Sequence, residues 1–375
     1  MPTVTDILRA EIAAAGPVSC ARFMDAALYT PGLGYYERQP GRIGRAGDYF
    51  TSVSVGPVFG QCLAARFATW LNALEADRPR QLVELGPHDG RLARDLLDAL
   101  ATVAPPSGLA RLDYVLVDPS PARRAWQAER LAPHRDRVGW VADLAELAPG
   151  SVNGVIFGNE FFDALPVHRL GWDAAARDWF EWRVGWDGAR FCWVRSRPGG
   201  TRDLPAAELR AALAAEYPAL SDPAVLAALP DGFTVEVCPA ARALWTAAAR
   251  ALGTGWLVAL DYGPDREALR PEQPAGTLRA FTRHHQTADV LATPGEQDLT
   301  ADVNFPALAA AGERAGLQTV TLCAQGRFLV EALCEQPLAA GWSAAQRRQF
   351  QTLIHPQHLG ERFKVLVQTR RPTRR

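Results

Sequence analysis

Lysine is almost missing from this sequence: of 40 basic residues, Lys364 alone is not an arginine. The basic residues are matched by 41 acidic ones, leaving a net charge of -1. A chain so balanced has no long-range field to draw it onto nucleic acid or an anionic membrane, so neither is expected as a partner. The scarcity of lysine itself reads as coding bias and carries no chemistry. Paired cysteines are missing too. The six, at 20, 62, 192, 238, 323 and 334, are scattered without a CxxC, which argues against a zinc ribbon or a dense disulfide framework and fits a reducing compartment. No apolar run approaches the length of a membrane span. The first residues carry Asp6 and Glu11, where a secretory signal needs a basic start and a purely apolar stretch. Together these absences give a cytoplasmic location as the expectation. No metal site is expected either: His355 and His358 have helical spacing, but Pro356 intervenes and no third ligand accompanies them.

What is present is ample core material, 48% hydrophobic over 375 residues. Val4, Ile7, Leu8 and Ile12 recur at helical spacing, and a second helix is predicted from Pro57 to about Glu75, with Phe59, Leu63, Phe67 and Leu71 on one face. The glycine- and aromatic-rich stretch between them reads as a lid. From residue 80 the chain alternates strand and helix: QLVELG, RLARDLLDAL, DYVLVD, SPARRAWQAERL, VNGVIFGNE. Short continuous apolar runs of this kind mark a parallel sheet buried on both faces, hence an α/β fold. Alternating aromatics around Asp187-Gly188 predict an antiparallel hairpin, followed by an Ala-rich helix. Parallel-type sequence is expected to resume at TVEVCP. The predicted organisation is residues 1–77 as a helical and lid segment, 78–170 with 233–375 as a Rossmann-like domain, and 171–232 as a hairpin and helical insertion that offers a substrate or homodimer surface.

The turn after the first of these strands carries the chemistry. Glu84 ends the strand, and Gly86, Pro87, His88, Asp89 and Gly90 lead into a helix. Glycines allow a tight turn and close backbone approach to a ligand at the helix N-terminus. The next strand ends at Asp118-Pro119, where a carboxylate can accept hydrogen bonds from both hydroxyls of a ribose. A dinucleotide site needs GxGxxG to cradle a pyrophosphate, and that pattern fails here. S-adenosylmethionine (SAM) has an amino-acid end and a sulfonium cation in place of phosphates, and the acidic surroundings suit it. The segment from Gly158 to Pro166 leaves a buried strand and brings Asn159, Glu160 and Asp163 to the carboxyl edge of the sheet. Methyl transfer depends on aligning the acceptor behind the methyl group. If the acceptor is an amine or guanidinium, Glu160 and Asp163 are the candidates to bind its charge and take up its proton.

With these residues in view, the sequence resembles the MidA-like (DUF185) SAM-dependent methyltransferases, a family that includes the mitochondrial complex I assembly factor that methylates an arginine. The resemblance runs nearly end to end, through "ARFMDAALYTPGLGYY", "GDYFTS", "VELGPHDGRLARDLL", "VDPSPARRAWQ", "GNEFFDALPVHRL", "LDYG", "GTLRAFTRHH" and "GEQDLTADVNF". It implies a Rossmann-like class I methyltransferase sheet with an N-terminal extension and an antiparallel insertion. It implies that Glu84, Gly86, Pro87, His88 and Gly90 belong to the cofactor turn, that Asp118 and Pro119 meet the ribose, and that Asn159 and Glu160 lie at the methyl end. Gly47, Asp48, Tyr49, Phe50 and Thr51 would form a cover. Arg279, Arg283, His284 and His285 follow the strand that ends at Asp261 and are candidates for the substrate mouth.

The expected function is therefore methylation of a protein side chain, arginine through the family. Three positions depart from the family pattern: His88 stands where Gly is expected, and Val53-Ser54 where Pro-Glu is expected. A side chain at 88 would crowd the cofactor, and the missing acid at 54 would remove a contact to a cationic substrate. These departures keep open a non-catalytic assembly protein as the alternative, with a dehydrogenase third.

Overall fold

The computed structural model describes residues 2–38, 51–75, 78–103, 112–200, 203–266, 269–282, 285–287, 289–335 and 338–370. The chain divides into two interlaced units, one made of Met1–Gln39, Asp163–Ala243 and Arg266–Ala307, the other of Pro40–Phe162, Leu244–Asp265 and Leu308–Arg375.

The second unit is built on seven strands: β1 (Arg80–Leu85), β2 (Leu112–Val117), β3 (Val138–Val141), β4 (Val152–Asn159), β5 (Leu252–Tyr262), β6 (Gln318–Ala324) and β7 (Phe363–Arg370). Their order across the sheet is β6-β7-β5-β4-β1-β2-β3. The five strands β3, β2, β1, β4 and β5 run parallel, and β7 runs antiparallel to both of its neighbours. The chain builds outward from β1 to β3, then returns to lay β4 on the other side of β1. The carboxyl ends of β1 and β4 therefore flank a topological switch point, where open α/β sheets bind ligands.

The apolar runs seen in the sequence fill this sheet. All of β4 from Val152 to Gly158 is buried, as are Leu82, Val83 and Leu85 of β1. The helix Val58–Asn72 presents Phe59, Leu63, Phe67 and Leu71 to the core, all at 0% exposure, and Phe67 packs on Phe157 of β4 with ring centroids 5.2 Å apart. Trp245 is wholly buried, donates its Nε1 hydrogen to Gln368 Oε1 at 2.8 Å and meets Phe162 edge-on. Its polar edge is thus satisfied inside the core.

The first unit is antiparallel. Strands Val18–Ser19, Asp178–Trp186, His168–Asp173 and Thr234–Val237 lie in that order, with Phe191–Ser196 also paired to Asp178–Trp186. The predicted turn is there: Asp187 N–H donates to Arg190 O, and Asp187 Oδ1 accepts from Ala189 and Arg190 N–H. Trp172, Trp179, Leu209, Leu213, Phe233 and Val235 form a core of their own. A smaller sheet pairs Arg279–Thr282 with His285–Thr287 and Asp298–Thr300.

Two expectations are corrected. Thr234–Val237 does not resume the parallel sheet but pairs antiparallel with His168–Asp173. The strand alternates polar Thr234 and Glu236 with apolar Val235 and Val237, the two that enter the core of this unit, which is the antiparallel pattern but too short over four residues to stand out in the sequence. The unit boundaries also fall away from 77, 170 and 232, because Val18 and Ser19 pair with Val184 and Arg183 and so join the N-terminal segment to the antiparallel sheet. Among the described residues no helix is long and apolar enough to cross a membrane.

Candidate active site

The turn after β1 is shaped by three left-handed residues, Gly86 (φ 65°), His88 (φ 46°) and Gly90 (φ 77°). Gly90 N–H closes the turn on Pro87 O at 2.8 Å, and the helix Arg91–Val103 follows at once. A Cβ on Gly86 would sit 2.2 Å from Cδ2 of Phe161, so this position cannot carry a side chain in the present arrangement. Asp89 is spent within the protein: Oδ1 accepts Arg91 N–H at 3.0 Å and Oδ2 accepts Arg130 Nη2 at 2.9 Å. Burial alone would raise its pKa, but His88, Arg130 and Arg91 outweigh that and hold it below the ordinary value. Glu84, 3% exposed, accepts the Tyr114 hydroxyl hydrogen at 2.6 Å. Burial pushes its carboxyl up to about 8, with the Tyr114 hydrogen bond opposing and the charge of Asp89 adding to the rise.

Asp118 ends β2 at 1% exposure. Its carboxylate receives Ser120 N–H, the Arg123 guanidinium and Gln127 Nε2. Gln127 ties three parts of the site together, since the same Nε2 also donates to His88 O at 2.8 Å and its Oε1 accepts Trp140 Nε1–H at 2.9 Å. A Cβ on Gly90 would lie 3.3 Å from Gln127 Cα, which shows how closely turn and helix approach.

Asn159 and Glu160 leave β4 at the other side of the switch point. Glu160 has φ 49°, and it accepts Ser52 N–H at 2.9 Å and Asn159 Nδ2 at 3.3 Å through Oε1. Asn159 Oδ1 is buried and has no hydrogen-bond partner among the described residues. Left-handed side-chain-bearing residues are strained by about 1–3 kcal/mol and gather at functional sites; two of the three among the described residues, His88 and Glu160, are here. The bend at Glu160 is held from β5. Asp261, fully buried, takes Phe161 and Phe162 N–H on Oδ2 at 3.1 and 2.8 Å and its neighbour Tyr262 N–H on Oδ1 at 2.9 Å.

Of the residues singled out in the sequence, Glu84, Gly86, Pro87, His88, Gly90, Asp118, Pro119, Asn159 and Glu160 all belong to one unit and to three adjoining strand ends. Asp163 is three residues further along the chain than Glu160. It belongs to the other unit, where it is 4% exposed and its carbonyl accepts Ala301 N–H at 2.9 Å. In that unit Tyr36 donates to Asp298 Oδ1 at 2.8 Å, and its phenol is raised well above its ordinary value by burial, then by the charges of Asp298 and Asp163. Gly47, Asp48, Tyr49, Phe50, Arg283 and His284 lie outside the described residues. Arg279 is paired with Asp302, and His285 is exposed on its short strand. Ser54, where an acid is expected from the family pattern, closes a capping box with Thr51 at the start of the helix Ser52–Val55. Three residues were missed in the sequence: Asp261, Arg123 and Gln127. The acid within "LDYG" is a legible signal for the first, by analogy with Asp118.

A parallel sheet of this order, with a glycine turn after the first strand and an acid closing the second, defines an α/β protein that binds a nucleoside across its switch point. SAM fits the residues present: the buried, unsatisfied Asn159 Oδ1 suits an ammonium donor. Residues 62–323 match the family described as "Putative S-adenosyl-L-methionine-dependent methyltransferase". A superfamily member from Burkholderia thailandensis, its crystal structure bound to S-adenosyl-homocysteine, is 32% identical, with 98% of this chain and 92% of that one covered and a TM-score of 0.80. Similar curated proteins are the protein arginine methyltransferase NDUFAF7 homolog, mitochondrial, of Drosophila melanogaster, 30% identical over 96% of this chain and 83% of the relative, and its Danio rerio counterpart, 28% identical over 95% and 84%. The chain belongs to this family and is a SAM-dependent methyltransferase.

The expected cytoplasmic location is overturned by these relatives, whose names place them in the mitochondrion. The features behind that expectation do not separate one compartment from another.

Proposed function

We propose that this enzyme methylates a guanidinium nitrogen of an arginine side chain in a protein substrate. The reading is carried by the acid held at the end of β4: Glu160 Oε1 is fixed by Ser52 N–H and Asn159 Nδ2, beside the unsatisfied Asn159 Oδ1. The relatives named as protein arginine methyltransferases support the choice of acceptor.

SAM supplies an electrophilic methyl group on a sulfonium. The turn from Gly86 to Gly90 would carry its amino-acid end, Asp118 would accept from the ribose, and Asn159 Oδ1 would accept from its ammonium group. Glu160 holds the acceptor guanidinium in line with the methyl group, which is where most of the rate gain of such a reaction arises. Glu160 would also take up the proton that the acceptor nitrogen gives up on being methylated. Asp163 and the cover residues Asp48, Tyr49 and Phe50, with Arg283 and His284, complete this proposal on the substrate side. A homodimer through the hairpin is also part of it and is tested by light scattering.

The deciding experiment is transfer of labelled methyl groups from SAM to protein in a lysate lacking this enzyme, followed by hydrolysis and amino-acid analysis. Label in methylarginine that disappears with Glu160→Gln supports the reading. Label confined to another amino acid refutes the acceptor, and full activity in Glu160→Gln refutes the role of the acid.

A further inference from the structure

The ribose acceptor proposed above already has partners on both of its oxygens. Arg123 Nε lies 3.0 Å from each oxygen of Asp118 and Arg123 Nη2 lies 2.8 Å from Oδ1. Ser120 N–H adds a bond to Oδ1 at 2.9 Å, and Gln127 Nε2 one to Oδ2 at 2.8 Å. A carboxylate offers about four lone-pair sites, and these donors take them up. The cluster is closed from solvent, with Asp118, Arg123 and Gln127 at 1%, 8% and 0% exposure.

Arg123 is also an unusual residue for its place. It is the third residue of the helix Pro121–Arg130, whose N-cap Ser120 accepts the Arg123 N–H. A cation in the first turn opposes the positive end of the helix dipole, and a capping box would put Glu or Gln at this position. The helix gains nothing from the guanidinium, so its place is explained by Asp118. Gln127 is fixed by His88 O and Trp140 as well as by Asp118. Arg123 is the long, many-jointed side chain of the set and the one able to swing aside.

We infer that Arg123 is a resident competitor for the ribose: its guanidinium and the two hydroxyls contend for the same oxygens of Asp118, so Arg123 sets how tightly the enzyme holds its cofactor. Binding requires Arg123 to give up at least one oxygen, and the apparent affinity is lowered by the fraction of molecules in which it has done so. This inference rests on the ribose role of Asp118, and the test keeps the two apart.

Calorimetric titration with S-adenosylhomocysteine is carried out on the wild type, Arg123→Leu, Arg123→Lys and Asp118→Asn, each first shown by thermal melting to be folded. Arg123→Leu should bind about tenfold more tightly, and Arg123→Lys, which keeps the charge and loses the fork, should gain less in the same direction. Methylthioadenosine, which retains the ribose and lacks the amino-acid end, should show the same gain. Asp118→Asn should bind at least about tenfold more weakly. If Arg123→Leu does not fold, Arg123→Lys decides alone. Unchanged or weaker binding in the Arg123 variants, with binding lost in Asp118→Asn, overturns the competitor and leaves the ribose role standing. Wild-type affinity in Asp118→Asn removes the ribose role and this inference with it.

Discussion

Gly86 and Phe161 meet where the ends of β1 and β4 come together: the edge of the Phe161 ring lies 2.2 Å from the point at which a side chain on residue 86 would begin. Gly86→Ala must therefore displace Phe161, and with it the bend that carries Glu160, while also holding an unfavourable φ of 65°. Overpacking and left-handed strain together predict a loss of about 2–4 kcal/mol in denaturant unfolding. Cofactor affinity should fall by more than about tenfold. Wild-type values on both counts would show that the ring moves freely.

Asp261 offers a way to disturb Glu160 without touching it. Asp261→Asn keeps the shape but replaces a charged acceptor of Phe161 and Phe162 N–H by a neutral one, and should cost about 1–3 kcal/mol. Methyl transfer should suffer more than S-adenosylhomocysteine affinity, because the bend at Glu160 is loosened while the turn at Gly86 is intact. Equal losses in both would mean that Asp261 serves only the fold.

Glu84 predicts a pH dependence of stability. Its carboxyl is raised from 4.5 to about 8 in the folded protein, by burial first. Below the unfolded value both states hold the proton and the contribution is fully present. As pH rises toward 8 the unfolded chain ionises and the folded one resists, so stability is lost across that window. Glu216, raised to about 7 chiefly by burial, acts in the same direction. Urea unfolding at several pH values should show stability falling between about pH 5 and 8, with a shallower slope in Glu84→Gln and a shallower one still with Glu216→Gln added. An unchanged slope in the double variant would contradict both shifts.

His88 holds a left-handed backbone that glycine adopts without strain. Its ring centroid lies 6.5 Å from that of Trp126, and its Nδ1 is 3.9 Å from Asp89 Oδ1. His88→Gly should gain about 1 kcal/mol in thermal or urea unfolding and retain cofactor binding. A destabilised variant would show that the ring's contacts outweigh the strain.

The parts of the site that are contiguous in the chain were legible in the sequence. Strand, glycine turn and helix from Glu84 through Gly90, and the acid closing β2, follow from local periodicity and turn chemistry. Relations that depend on the tertiary arrangement were not. Asp261 reaches Phe161 and Phe162 across about a hundred residues, and only the pairing of β4 with β5 brings them together. Asp163, three residues after Glu160, falls in a different unit because the chain turns at Phe162 into the antiparallel sheet. Arg123 could be read as one more solvated arginine in an Arg-rich helix, since nothing in its spacing says that it turns back onto Asp118. Ser54 stands where the family pattern has an acid, whereas its hydroxyl bonds the backbone of Thr51, the N-cap of its short helix.

The placement of β7 has a bearing on how the protein is made. This strand follows all the others of its sheet in the chain, yet it lies between β5 and β6 and hydrogen-bonds to both. During synthesis β5 must therefore wait with one flank unpaired, and β6 has no strand to join until residues 363–370 emerge from the ribosome. An open strand edge of that kind invites pairing with other chains. Nascent protein should accordingly depend on chaperones until residues 363–370 have joined the sheet, and ribosome stalling before they emerge should leave an aggregation-prone intermediate.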